Sequence, residues 1–163
     1  MSNGVTEVLQ GYIRDALELR LCTDLPTVAS APVDIQTYLL DVRRRQDRVE
    51  ELLRLSLRIK SRARRAADAA NAAVEDAWDQ AAVAARQSPV QRGNEFFSAR
   101  ERAAVANLEV LDLRREARRA AELAHICDEA AEVIRSAYWG LSGVREDVRE
   151  LLRTHLLESH LER

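Results

Sequence analysis

Six basic residues crowd into twelve positions of this chain: Arg54, Arg58, Lys60, Arg62, Arg64 and Arg65. Guanidinium groups donate paired hydrogen bonds to phosphate, and a row of them can follow a polyanion backbone without reading its bases. On a helical wheel Arg44, Arg48, Arg54, Arg58, Arg62 and Arg65 fall within a sector of about 120° opposite the apolar positions. Asp47 and Glu51 share that sector, so a solvated outer face of a paired helix is the competing reading. The local imbalance is large. Arg43 to Arg65 holds ten basic and three acidic residues, whereas Ala66 to Arg86 holds four acidic residues and one basic, on a chain whose formal net charge is only -2. Bulk attraction to nucleic acid or anionic membrane is therefore not implied, but a local basic surface is.

A second candidate is the stretch "QSPVQRGNEFFSARER", where Arg92 precedes Phe96 and Phe97. Basic grooves with aromatic platforms hold single-stranded nucleic acid, so these three residues could supply one charge and two stacking faces. Aromatics beside a helix cap also commonly fold over the helix end, which is the structural alternative. "ELAH", Glu122 to His125, has the Glu-x-x-His spacing of carboxylate di-iron bundles, but neither His155 nor His160 completes a second such motif. Cys127 and His125 are two residues apart and fall on different faces of a helix, so they do not form a nucleophile and base pair. With no Gly-rich phosphate loop or paired-carboxylate cleft, the expectation is a non-catalytic protein with no cofactor and no metal. Cys22 and Cys127 have no zinc or redox spacing and read as reduced thiols.

The elements that would carry these residues are helical. Gly is only 5 and Pro only 3 of 163 residues, aromatics are 4%, and nearly a third of the residues are charged, a balance typical of long helices and coiled coils. Val5, Leu9, Tyr12, Ile13, Ala16 and Leu19 recur at helical spacing up to about Leu21. A loop, "TDLPTVASAPVD", follows, with Pro32 suited to a first helical turn and Ser30 or Asp34 as cap. Residues 33 to 87 are uninterrupted and would span roughly 80 Å as a helix. The expected seam is Val42, Val49, Leu52, Ser56, Ile59, Ala63, Ala66, Ala70, Ala73 and Ala77. Pro89 and Gly93 mark a turn, Ser98 with Glu101 a capping box, and a second long helix runs from Ala99 to about Trp139. Its expected seam is Ala104, Leu108, Leu111, Ala120, Ala124, Cys127, Ala131, Ile134, Tyr138 and Leu141, with Trp78 and Trp139 as packing anchors. Gly140 and Gly143 mark a kink or break before a last amphipathic helix. No strand pattern is present.

The fold expected is all-α: a long antiparallel helical hairpin with short flanking N- and C-terminal helices, residues 1–32 forming the first helix and linker and 33–163 the hairpin. Leu52, Leu53, Leu55, Leu57 and Ile59 spread over more than half the helix circumference, which predicts a homo-oligomer. Charges among the first residues and the lack of a long apolar run predict a cytoplasmic protein with no membrane association. One alternative function is a coiled-coil scaffold or assembly chaperone that receives a protein partner on an apolar helix face.

The arrangement as a whole resembles the T-even phage recombination mediator family (UvsY-like) over roughly residues 45 to 155. The elements carrying the resemblance are the basic helix, the Ala-rich stretch, Arg92, Gly93, Glu95, Phe96 and Ser98 at the turn, and Ile134, Arg135 and Ser136 within "AAEVIRSAYWGLSGVREDVRELL". The resemblance implies a ring-like helical oligomer that binds single-stranded DNA. It also implies help for a RecA-type recombinase in displacing single-strand-binding protein during phage-type recombination. In that family a short basic motif shortly before the turn is tied to DNA binding. Here that place holds "AAVEDAWDQAA", and the basic residues lie earlier, at Arg58 to Arg65.

Overall fold

The computed structural model describes residues 2–22, 24–87, 91–92, 95–96 and 98–161. They are almost entirely helical: α1 (Ser2–Arg20), α2 (Pro32–Gln87), α3 (Ala99–Glu109) and α4 (Leu111–Leu161). Between α2 and α3 lie β1 (Gln91–Arg92) and β2 (Glu95–Phe96), paired antiparallel with Gln91 opposite Phe96 and Arg92 opposite Glu95. Two residues per strand are too few to give an alternating pattern, which is why the sequence carries no strand signal. No helix among the described residues is long and apolar enough to cross a membrane.

Local rules account for the helix starts. Pro32 opens α2, where its fixed φ suits the first turn, and the Ala31 carbonyl accepts hydrogen bonds from the Asp34 and Ile35 amides. Ser30 does not cap α2; its hydroxyl accepts from the Thr27 amide within the loop. Asp24 in the same loop takes a φ of 57°, a left-handed conformation that Asp tolerates better than most residues. Ser98 and Glu101 form the expected reciprocal capping box at the start of α3.

The chain divides into two compact units, Met1–Ile59 with Cys127–Arg163, and Lys60–Ile126. In the first, Ala16 of α1, Val42, Val49 and Leu52 of α2, and Ile134, Ala137 and Leu141 of α4 make one buried cluster, flanked by Tyr12, Ile13, Tyr38 and Tyr138. A bond from Arg145 Nη1 to Gln46 Oε1, 2.9 Å long, crosses between α2 and α4. Arg45 closes the end of α1, donating to the Leu21 carbonyl at 3.0 Å and pairing with Asp41 at 2.7 Å. In the second unit small residues form the core: Ala63, Ala67, Ala81, Ala106, Ala117 and Ala124, with Val110. Asn71 and Val74 of α2 and Arg114, Ala117, Arg118 and Ala121 of α4 line one groove of this unit.

Several expectations are corrected. The seam of α2 runs through Ala63, Ala67 and Ala81, while Ala66 and Ala73 are exposed. The second long helix is interrupted at Val110, which has φ -96° and ψ 6° and is buried to 1% exposure. Its burial shifts the seam to Ala106 and Val110, leaving Ala104, Leu108 and Leu111 exposed. α4 then continues unbroken through Gly140 and Gly143, so among the described residues the expected last helix is the end of α4. The side chain of Arg20, from α1, lies over Gly140, its Nε 2.9 Å from where a Cβ would stand. Trp139 is 64% exposed and Trp78 37%, so neither is a core anchor; the Trp139 ring meets Tyr138 edge-on at 5.5 Å.

Candidate nucleic-acid interface

All six basic residues singled out in α2 are helical. Arg54 and Arg58 belong to the first unit, and Lys60, Arg62, Arg64 and Arg65 to the second. Helix formation here needs no special device, since Arg, Lys, Leu and Ala all favour it and no Gly or Pro falls between Pro32 and Gln87. The apolar side of this stretch is held by Ser56, fully buried and donating to the Leu53 carbonyl at 2.8 Å, and by Ala63 and Ala67. That burial turns the intervening arginines outward: Arg54, Arg58, Arg62, Arg64 and Arg65 are exposed, while Lys60 is half-buried.

Their electrostatic states differ. Arg54 pairs with Glu50 at 2.5 Å, and one turn earlier Arg48 pairs with Glu51. Arg65 donates to the Ser61 hydroxyl at 3.0 Å, a neutral partner that leaves its charge uncompensated. Arg58 and Arg62 have no hydrogen bond or ion pair among the described residues. The sequence explains the difference, because no acidic residue lies between Glu51 and Asp68. Exposed intrahelical pairs contribute only about 0.3–0.5 kcal/mol, so Arg54 could exchange Glu50 for a phosphate at little cost. Arg92 lies on β1 and Phe96 on β2, but the side chains of both, and the whole of Gly93 and Phe97, lie outside the described residues.

The other chemical candidates separate. Glu122 and His125 are both exposed, whereas Cys127 is fully buried, so the thiol and the imidazole do not share an environment. Burial pushes the Cys127 thiol up from its ordinary value, with Asp128 adding to the effect. Among the described residues no cluster of three His, Cys, Asp or Glu side chains is arranged to hold a metal. Sequence reading did not single out Tyr38. Its hydroxyl oxygen is buried without a hydrogen-bond partner among the described residues, and the Cys22 thiol lies beside it. Burial, with Cys22 second, pushes this phenol up to about 12.

That shift gives a signed expectation. A phenol whose folded pKa exceeds its unfolded value of about 10 supports the folded state fully below pH 10 and loses that support as pH rises toward 12. Tyr38→Phe removes an unsatisfied hydroxyl and should leave stability at pH 7 unchanged or up to about 1 kcal/mol higher. It should also flatten the fall in stability between about pH 10 and 12, measured by urea denaturation followed by circular dichroism.

No family model matches the chain, and no curated protein or solved structure matches it either.

Proposed function

We propose that this protein is a non-catalytic accessory factor of phage-type DNA recombination that binds single-stranded DNA through the basic stretch of α2 and assists loading of a RecA-type recombinase. The observation that carries the reading is the pair Arg58 and Arg62, both exposed and without a hydrogen bond or ion pair among the described residues. Arginines without internal carboxylates keep their charge for an external polyanion. The similarity to recombination mediators at the turn and in α4 supplies the biological setting. Exposed Leu21, Leu25, Val28 and Val33 in the first unit and Val83 in the second support self-association, which would multiply weak contacts along one strand.

The same exposed apolar residues favour a second reading, a coiled-coil scaffold or assembly chaperone. Fluorescence anisotropy of a labelled single-stranded oligonucleotide, with the mass of the protein measured by light scattering, separates the two. Salt-sensitive binding by an oligomer is the expected result. An absence of binding at low salt overturns the DNA reading and favours the scaffold.

A further inference from the structure

The first unit contains an open cavity of about 360 Å³ between α2 and α4, lined by Gln36, Leu39, Leu40, Arg43, Arg145 and Arg149. Its size is within the range of small-ligand and peptide side-chain pockets. Three arginines line it and no acidic residue does. Arg145 is fixed by its bond to Gln46 Oε1, and Gln46 is only 5% exposed, so the arginine is held in place by a neutral partner. Arg149 reaches Glu146 at 3.4 Å, a long contact between half-exposed side chains that an incoming anion can displace. Arg43 is exposed and has neither hydrogen bond nor ion pair among the described residues. Three cations against one loosely held carboxylate leave the cavity with an excess of two positive charges. Beside them Leu40 exposes 58% of its surface, and Leu39 is half-buried.

We propose that this cleft receives an acidic peptide segment of a partner protein, its carboxylates on Arg43, Arg145 and Arg149 and an apolar side chain against Leu39 and Leu40. Arginine's planar fork matches carboxylate oxygens in pairs. Arg145 and Arg149 are one helical turn apart, roughly 6 Å, close to the spacing of alternate side chains along an extended peptide. A nucleic-acid strand is the poorer fit, because no aromatic side chain lines the cleft to stack a base. The leucine floor would go unused by a phosphate backbone. This site is separate from the basic stretch at Arg54 to Arg65, and its existence does not depend on DNA binding there.

The test uses the full chain and a short fluorescein-labelled peptide of aspartate and leucine, with two control peptides, one replacing aspartate by asparagine and one replacing leucine by serine. The expected result is binding of the first peptide, weakened about tenfold or more in each control. The double variant Arg43→Glu/Arg149→Glu keeps the Arg145–Gln46 bond and should lose peptide affinity about a hundredfold while keeping its helicity and its affinity for a single-stranded oligonucleotide. Leu40→Asn, at an exposed position where folding is not at stake, should weaken the peptide about tenfold. Failure of the first peptide to bind overturns the proposal, as does equal binding by the variants. Equal binding of the serine control would mean a site for any polyanion. Parallel loss of oligonucleotide binding in the double variant would assign the cleft to nucleic acid instead.

Discussion

Ile134→Ala is expected to lower the stability of the first unit by about 2–5 kcal/mol, the range for truncating a large aliphatic side chain in a packed core. Ile134 is fully buried and sits in one cluster with Val42, Val49 and Leu52 of α2, Ala16 of α1, and Ala137 and Leu141 of α4. Its removal takes a large side chain out of a cluster drawn from three helices. The alanines around it have no atoms with which to fill the space, so a cavity remains. Leu108→Ala, at a residue 69% exposed, should change stability by no more than about 0.5 kcal/mol. The chain supplies its own reporters, because Trp139 lies in the first unit and Trp78 in the second. Urea denaturation followed by Trp139 fluorescence in a Trp78→Phe background, at fixed protein concentration, measures the effect on the first unit. A loss below about 1 kcal/mol would mean that α4 is not packed at this position.

The same contrast between large and small residues decides how much of the fold was legible. In the first half of α2, Val42, Val49 and Leu52 are separated by polar residues, so the phase of the helix is written in the sequence and the buried positions agree with it. From Ala66 to Ala85 eleven of twenty residues are alanine, and a uniform stretch has no phase to read. The choice of Ala67 over Ala66 is made by packing in the second unit, which local periodicity does not contain. The interruption at Val110 has no Gly or Pro to announce it. Conversely Gly140 and Gly143 suggested a break, yet a glycine costs only about 1 kcal/mol within a helix, and buried Ile134, Ala137, Leu141 and Val148 on either side outweigh it. Pro32 and the Ser98–Glu101 box were legible because caps are local. At the candidate site the charges were equally plain, but their partners were not: the pairing of Arg54 with Glu50, and the lack of one for Arg58, depends on which side chains a folded helix brings within reach. The Arg43, Arg145 and Arg149 cleft joins residues about a hundred positions apart, and no spacing within either helix could reveal it.

Reversal of Arg58, Arg62 and Arg65 to Glu should lower affinity for a single-stranded oligonucleotide more than about a hundredfold, the consequence of removing three phosphate contacts and placing repulsive charge in their stead. None of the three has an ion-pair partner among the described residues, so the substitutions break no carboxylate contact and helicity should be retained. The loss must be local, not a consequence of net charge. A control with Arg115, Arg118 and Arg119 reversed carries the same change in total charge on α4 and should bind nearly as well as the unaltered protein. If three to four arginines per subunit meet phosphates, the logarithm of affinity should fall against the logarithm of salt with a slope of about -2 to -3, at about 0.7 per contact on a single strand. Between 50 and 200 mM salt that is a weakening of roughly 20- to 50-fold, and in the reversed protein the slope should approach zero. Equal loss in the control would reduce the interaction to bulk charge. A steep slope that survives reversal of Arg58, Arg62 and Arg65 would place the phosphate contacts on other arginines, and α2 would then be a solvated helix face.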